Sequence, residues 1–152
     1  MSATCWPLRS LSAALALVAE PVEDEVRIEL APGRYDSTGG VGMPAESLRL
    51  EKRMHLGGSI RIHAREAGSP PVFAWKGERR TIEACDGRWV LAGVQIGTFE
   101  ADQVRGLYAH GAVDVRVEDA SFELRSRSDA ALWSERGARI ALSGAIRVNA
   151  SA

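Results

Sequence analysis

The sequence predicts an all-β solenoid: a right-handed parallel β-helix of about 25-residue coils, entered through one capping α-helix, as a single domain over residues 1–152. Three observations predict it. The spacing of apolar residues switches from a helical period to a period of two near residue 25. Short β-like runs then recur with apolar landmarks about 25 residues apart. Glycines and polar residues punctuate those runs. One such repeat cannot bury its own apolar side chains, whereas stacked coils bury them in shared columns.

Composition agrees with a packed domain. The chain has 152 residues, 45% of them hydrophobic and 26% charged, which suits one globular core and argues against disorder. The 19 basic and 20 acidic residues leave a net charge of −1, so the basic footprint of a nucleic-acid partner is missing. No apolar run reaches the ~18 residues of a membrane span, and no membrane insertion is expected. Cys5 and Cys85 are too few for a disulfide framework and lack CxxC spacing. Both read as free thiols and say little about compartment.

The first element is a helix over Pro7–Glu20. Leu8, Leu11, Leu15 and Val18 recur at spacings that share one helical face, Pro7 suits a first helical position, and Pro21 stops the run. The segment Leu11–Ala19 also passes for a signal-peptide core, but its flank carries one positive side chain, Arg9, and the helix is the preferred reading. The coils then occupy residues 25–152. In Glu25–Leu30 apolar residues alternate with charged ones, a half-buried strand. Pro32-Gly33 marks a turn, and Asp36–Glu46 reads as a glycine-rich loop.

The repeat shows next. Leu107-Tyr108-Ala109 matches Leu132-Trp133-Ser134 at 25 residues, and Val117 matches Leu142 at the same distance. Leu91–Ile96 precedes Val117–Phe122 by 26. The clearest sequence match is distant: Leu56–Ile62 against Leu142–Val148. The interval from Leu56 to Leu91 is 35, so one coil carries an insertion, placed near Gly68–Pro71. Alternation turns Val113, Val115 and Val117 inward and Asp114, Arg116 and Glu118 outward. The period also puts Arg88, Asp114 and Arg139 in one outward column, where opposite charges side by side are favourable. The chain end, Ile146-Arg147-Val148-Asn149, still reads as a coil strand with no capping element after it. The expectation is that the stack continues in a longer protein or that another chain covers that end.

Helix, strand, Ala31-Pro32-Gly33-Arg34-Tyr35 and glycine-punctuated coils together resemble the N-terminal end of pectin-lyase-like right-handed β-helix proteins. The resemblance implies that the amphipathic helix caps the first coil and covers its apolar end. It implies no single function, since the superfamily holds polysaccharide lyases, hydrolases, epimerases, phage tail proteins and noncatalytic adhesins. Leu132–Ala152 looks most like coils of phage tail-fibre and tailspike proteins.

The search for chemistry yields no catalytic residues, no metal site and no cofactor. His55, His63 and His110 are scattered and have no cysteine near them in sequence. Glycosidase chemistry needs two carboxylates about 5–10 Å apart. The best candidates, Asp114, Glu118, Asp119 and Glu123, include the outward pair Asp114 and Glu118, which stand about 13 Å apart along a strand. Gly39–Gly42 lacks the strand–loop–helix setting and following lysine of a phosphate loop. Weak ligand-binding candidates are Tyr108 and Trp133, stacked one coil apart as a sugar platform, with Asp114 and Glu118. The plainer alternative is that each aromatic plugs the interior or a turn of its coil.

The first functional expectation is therefore a noncatalytic structural or receptor-binding β-helix module, as in a phage tail fibre, tailspike or adhesin. Its partner would be a polysaccharide or cell-surface glycan, its assembly a homotrimer, and its location the virion surface or cell exterior. One alternative is a carbohydrate-active enzyme, a polysaccharide lyase or glycoside hydrolase, or its N-terminal portion. Another is a protein-interaction β-solenoid, which would show an apolar surface patch instead of an aromatic and polar groove.

Overall fold

The computed structural model describes residues 11–35, 48–51, 57–74, 80–97, 104–125 and 129–150. It is an all-β fold in parallel sheets with one short helix. Among the described residues the helix α1 spans Leu11–Ala16 and so ends before the predicted Glu20, while residues 1–10, with Pro7 and Leu8, lie outside the described residues. A backbone bond from Val18 N to Leu15 O closes the turn after it. Leu11, Leu15 and Val18 are buried in the same apolar cluster as the strands, as their common face requires.

Among the described residues thirteen strands follow in chain order, and every pairing between them is parallel. The first sheet stacks β1 (Glu25–Leu30), β4 (Ser59–Ala64), the second half of β6 (Arg80–Ala92), β9 (Val113–Glu118) and β12 (Arg139–Ser143). The second stacks β2 (Gly33–Tyr35), β5 (Pro71–Phe73), β7 (Gln95–Gly97), β10 (Ser121–Leu124) and β13 (Arg147–Ala150). The third stacks β3 (Leu48–Glu51), the first half of β6, β8 (Arg105–His110) and β11 (Ala130–Glu135). Successive strands visit the sheets in turn, so each pairs with the strand one circuit later. Long β6 runs unbroken from the third sheet into the first, with Gly87 at positive φ in the bend. This arrangement fits a β-solenoid-like fold.

The core is built from columns. Ile28, Ile62, Leu91, Val117 and Leu142 stack in the first sheet; Tyr35, Phe73, Ile96, Phe122 and Val148 stack in the second. Ile62, Leu91, Val117, Phe73, Ile96 and Phe122 are fully buried. Each such side chain contributes about 1.5–3 kcal/mol of hydrophobic stabilisation. On the final rung the same columns surface, with Leu142 and Val148 about half exposed.

The 25- and 26-residue matches between neighbouring coils are the actual registers: Leu132 pairs with Leu107, Trp133 with Tyr108, Leu142 with Val117, and Phe122 with Ile96. The distant match of Leu56–Ile62 to Leu142–Val148 is not. Ile62 belongs to the first sheet, in the column of Leu142, whereas Val148 lies in the second. All three sheets share the same in–out alternation, so a short apolar motif does not tell one sheet from another. An insertion does lie close to the expected place, although Leu91 pairs with Ile62, so the interval from Leu56 to Leu91 is not a register. Ile62 pairs 29 residues ahead with Leu91, but Val72 pairs only 23 ahead with Gln95, so the corner Arg65–Pro70 carries six extra residues.

At the corner between first and second sheets, Gly93, Asp119 and Gly144 all adopt left-handed backbone, with φ of 66°, 48° and 71°. The Ala145 N–H donates to Asp119 Oδ1 at 2.8 Å, so one coil's carboxylate caps the next coil's turn. A side chain on Gly144 would collide with that carboxylate, its Cβ falling 2.1 Å from Oδ1.

Candidate functional site

On the third sheet the interior is filled by Ile82, Leu107 and Leu132, and pairing places Glu83, Tyr108 and Trp133 on the opposite face as one outward column. The neighbouring column holds Arg80 and Arg105, paired to each other. Beside them His110 pairs with Glu135. Aromatic, cationic and acidic side chains from three coils therefore share one face.

Arginine organises this face. The Arg105 guanidinium carbon lies 4.9 Å from the Tyr108 ring centroid and 4.1 Å from that of Trp133, and Arg80 approaches Tyr108 at 5.0 Å. Such cation–π contacts are worth about 0.5–2 kcal/mol each. Glu83, largely buried, accepts from Arg80 Nη1 at 3.2 Å and lies 2.8 Å from His110 Nε2. The Tyr108 hydroxyl donates to Glu135 Oε1, and Trp133 Nε1 donates to Glu135 Oε2 at 3.4 Å. The Tyr108 bond holds the Glu135 carboxyl below the usual carboxylate range. The same bond, and then burial, pushes the Tyr108 phenol above its ordinary value.

The two aromatic candidates thus have different surroundings. Tyr108 is 7% exposed, packed among Arg80, Arg105 and His110, and serves as a wall. Trp133 is 43% exposed, with Arg105 over its ring. Neither fills the coil interior.

Asp114 and Glu118 stand elsewhere, on the outward face of β9 in the first sheet. Asp114 Oδ1 accepts from Arg139 Nε at 2.9 Å, and Glu118 Oε2 from Arg61 Nη2 at 2.8 Å. The structure does not bring them to the aromatic pair. His55 and Cys5 lie outside the described residues. Cys85 is a free, half-buried thiol 3.3 Å from Arg49 Nε, its pKa pushed up by burial despite that contact. Among the described residues no group of three His, Cys, Asp or Glu side chains is placed to hold a metal ion, and no helix is long and apolar enough to cross a membrane.

Sequence reasoning missed Arg80, Glu83, Arg105, His110 and Glu135. The signal was available: the 25-residue step that joins Tyr108 to Trp133 also joins Glu83 to Tyr108 and Arg80 to Arg105.

No protein-family model matches the chain, no curated protein matches it, and no solved structure matches it.

Proposed function

We propose that the three parallel sheets close as a right-handed parallel β-helix, and that this β-helix is a noncatalytic glycan-binding module of the tail-fibre, tailspike or adhesin kind. Right-handed closure is supported by a general rule: parallel strands in one sheet are joined by right-handed crossovers in about 98% of cases. The binding reading rests on one observation, the exposed Trp133 fixed on the third sheet by Arg105 over its ring and Glu135 at its indole N–H. A rigid aromatic with a solvent-facing surface suits the apolar face of a sugar ring, and the adjacent guanidinium and carboxylate suit its hydroxyls.

The chemistry of the face favours binding over hydrolysis. A general acid needs a carboxyl with a raised pKa. Glu135 is shifted the other way, Glu83 is engaged by Arg80 and His110, and Asp114 and Glu118 are engaged by arginines on another sheet.

A glycan array probed with the purified chain, followed by titration calorimetry on the best hit, tests the reading. Trp133→Ala is expected to weaken binding at least tenfold, and Asp114→Ala to leave it unchanged. Equal affinity of Trp133→Ala and wild type overturns the assignment. Release of new reducing ends or unsaturated sugar during the titration overturns the noncatalytic part.

A further inference from the structure

Arg105, on the aromatic face, is a guanidinium without an acceptor. Its strand β8 is paired on both sides, with β6 and with β11, so it lies within the stack and not at its edge. The side chain is half-buried, with the Tyr108 ring centroid 4.9 Å and the Trp133 ring centroid 4.1 Å from its guanidinium carbon. Among the described residues none of its N–H groups meets a hydrogen-bond or ion-pair partner. A guanidinium holds five N–H donors in its own plane, so rings against its faces leave those donors free at the rim.

Two carboxylates share this face, and they are committed differently. Glu83 is largely buried, and its Oε1 serves both Arg80 and His110. Glu135 receives the Tyr108 hydroxyl on Oε1 and the Trp133 indole N–H on Oε2. Each carboxylate oxygen has two lone pairs, so Glu135 keeps acceptor capacity on both. The Tyr108 bond favours its charged form, and at neutral pH it is ionised. Arg105 and Glu135 thus border one indole, the first with spare donors and the second with spare acceptors. Among the described residues they are not bonded to each other.

On the glycan-binding reading of the Trp133 face, on which this rests, we infer that the sugar it takes is neutral and is read through two adjacent hydroxyls, one accepting from Arg105 and one donating to Glu135. A hydroxyl both donates and accepts, so a pair of them satisfies both side chains. A carboxylate or sulfate only accepts. It would satisfy Arg105 but stand with like charge against Glu135. An ammonium group only donates, and would stand with like charge against Arg105. Either charged substituent leaves one side chain covered and unpaired, which costs affinity.

The test is a glycan array probed with the full chain, carrying neutral oligosaccharides beside their uronate and sulfated counterparts. Titration calorimetry of the best neutral hit and its uronate counterpart follows. The neutral sugar is expected to bind, and the uronate about tenfold more weakly. Glu135→Gln is expected to weaken the neutral sugar and to narrow its advantage over the uronate, because the opposing charge is gone. A merely structural role of Glu135 would lower both affinities alike. Arg105→Lys keeps the charge but loses the fork, and is expected to weaken the neutral sugar with its advantage over the uronate retained. Near-UV circular dichroism matching wild type checks that the aromatic setting survives in each variant. Acidic sugars that bind as tightly as neutral ones, or an unchanged advantage in Glu135→Gln, overturn the inference and leave the Trp133 site standing. A neutral hit unaffected by Trp133→Ala, or no hit at all, overturns the underlying site and the inference with it.

Discussion

The bond between Tyr108 and Glu135 couples two coils and carries a definite pH signature. Glu135 is held low, so its contribution is present above the ordinary glutamate range and is lost as pH falls through the lowered value. Tyr108 is held high, so its contribution is present below the ordinary tyrosine range and is lost as pH rises through the raised value. Around neutrality both are in place. The urea midpoint of wild type is expected to exceed that of Glu135→Gln at pH 7, with the difference shrinking in acid. A difference that stays constant from neutral to strongly acid solution contradicts this linkage. At this scale the sequence was half legible. The stacking of Trp133 on the Tyr108 position followed from the period alone. The clasp of Arg105 and Glu135 did not, because surface polar contacts leave no hydrophobic pattern to read.

Among the elements, the corner turns are where the fold is most demanding. Gly144 sits at φ 71° with Asp119 from the coil below against it. Left-handed backbone costs a substituted residue about 1–2 kcal/mol, before any displacement of the Asp119 cap, itself worth about 1 kcal/mol. Gly144→Ala is expected to lower stability by about 2–3 kcal/mol, read as a lower urea midpoint at unchanged slope. Asp119→Asn should stay within about 0.5 kcal/mol, since asparagine tolerates this backbone and keeps an acceptor oxygen. An Asn variant as damaged as Gly144→Ala would show that the carboxylate acts otherwise. The position of the helix, the first strand and the insertion were readable from spacing and turn residues. The sheet to which Ile60 and Ile62 belong was not, because alternation is the same on every face.

Across the molecule, stability is a sum of neighbouring-rung terms, as in other stacked architectures. Strands in the middle of the stack, β6 and β9, are paired on both sides and cover fully buried residues, whereas β12 and β13 carry half-exposed Leu142 and Val148. Hydrogen exchange is therefore expected to be slowest in 87–92 and 113–118 and fastest in 139–143 and 147–150, with β4 between them. Uniform protection from β4 to β13 would show a single cooperative unit instead. The stacked architecture was visible in the sequence because the period is global. The aromatic face was not, since it exists only after several coils are placed side by side.

The six extra residues at Arg65–Pro70 show how such a chain tolerates errors of length. Before the corner the next partner is 29 residues away, and after it 23, yet every following strand keeps its apolar side toward the core. Each corner acts as a resynchronising point. A gain or loss of residues there alters the surface and is erased before the next strand begins. A single residue gained or lost inside a strand would turn every later side chain of that strand inside out. Variation in such a molecule is thus channelled to its corners, where new grooves can arise without disturbing the buried columns.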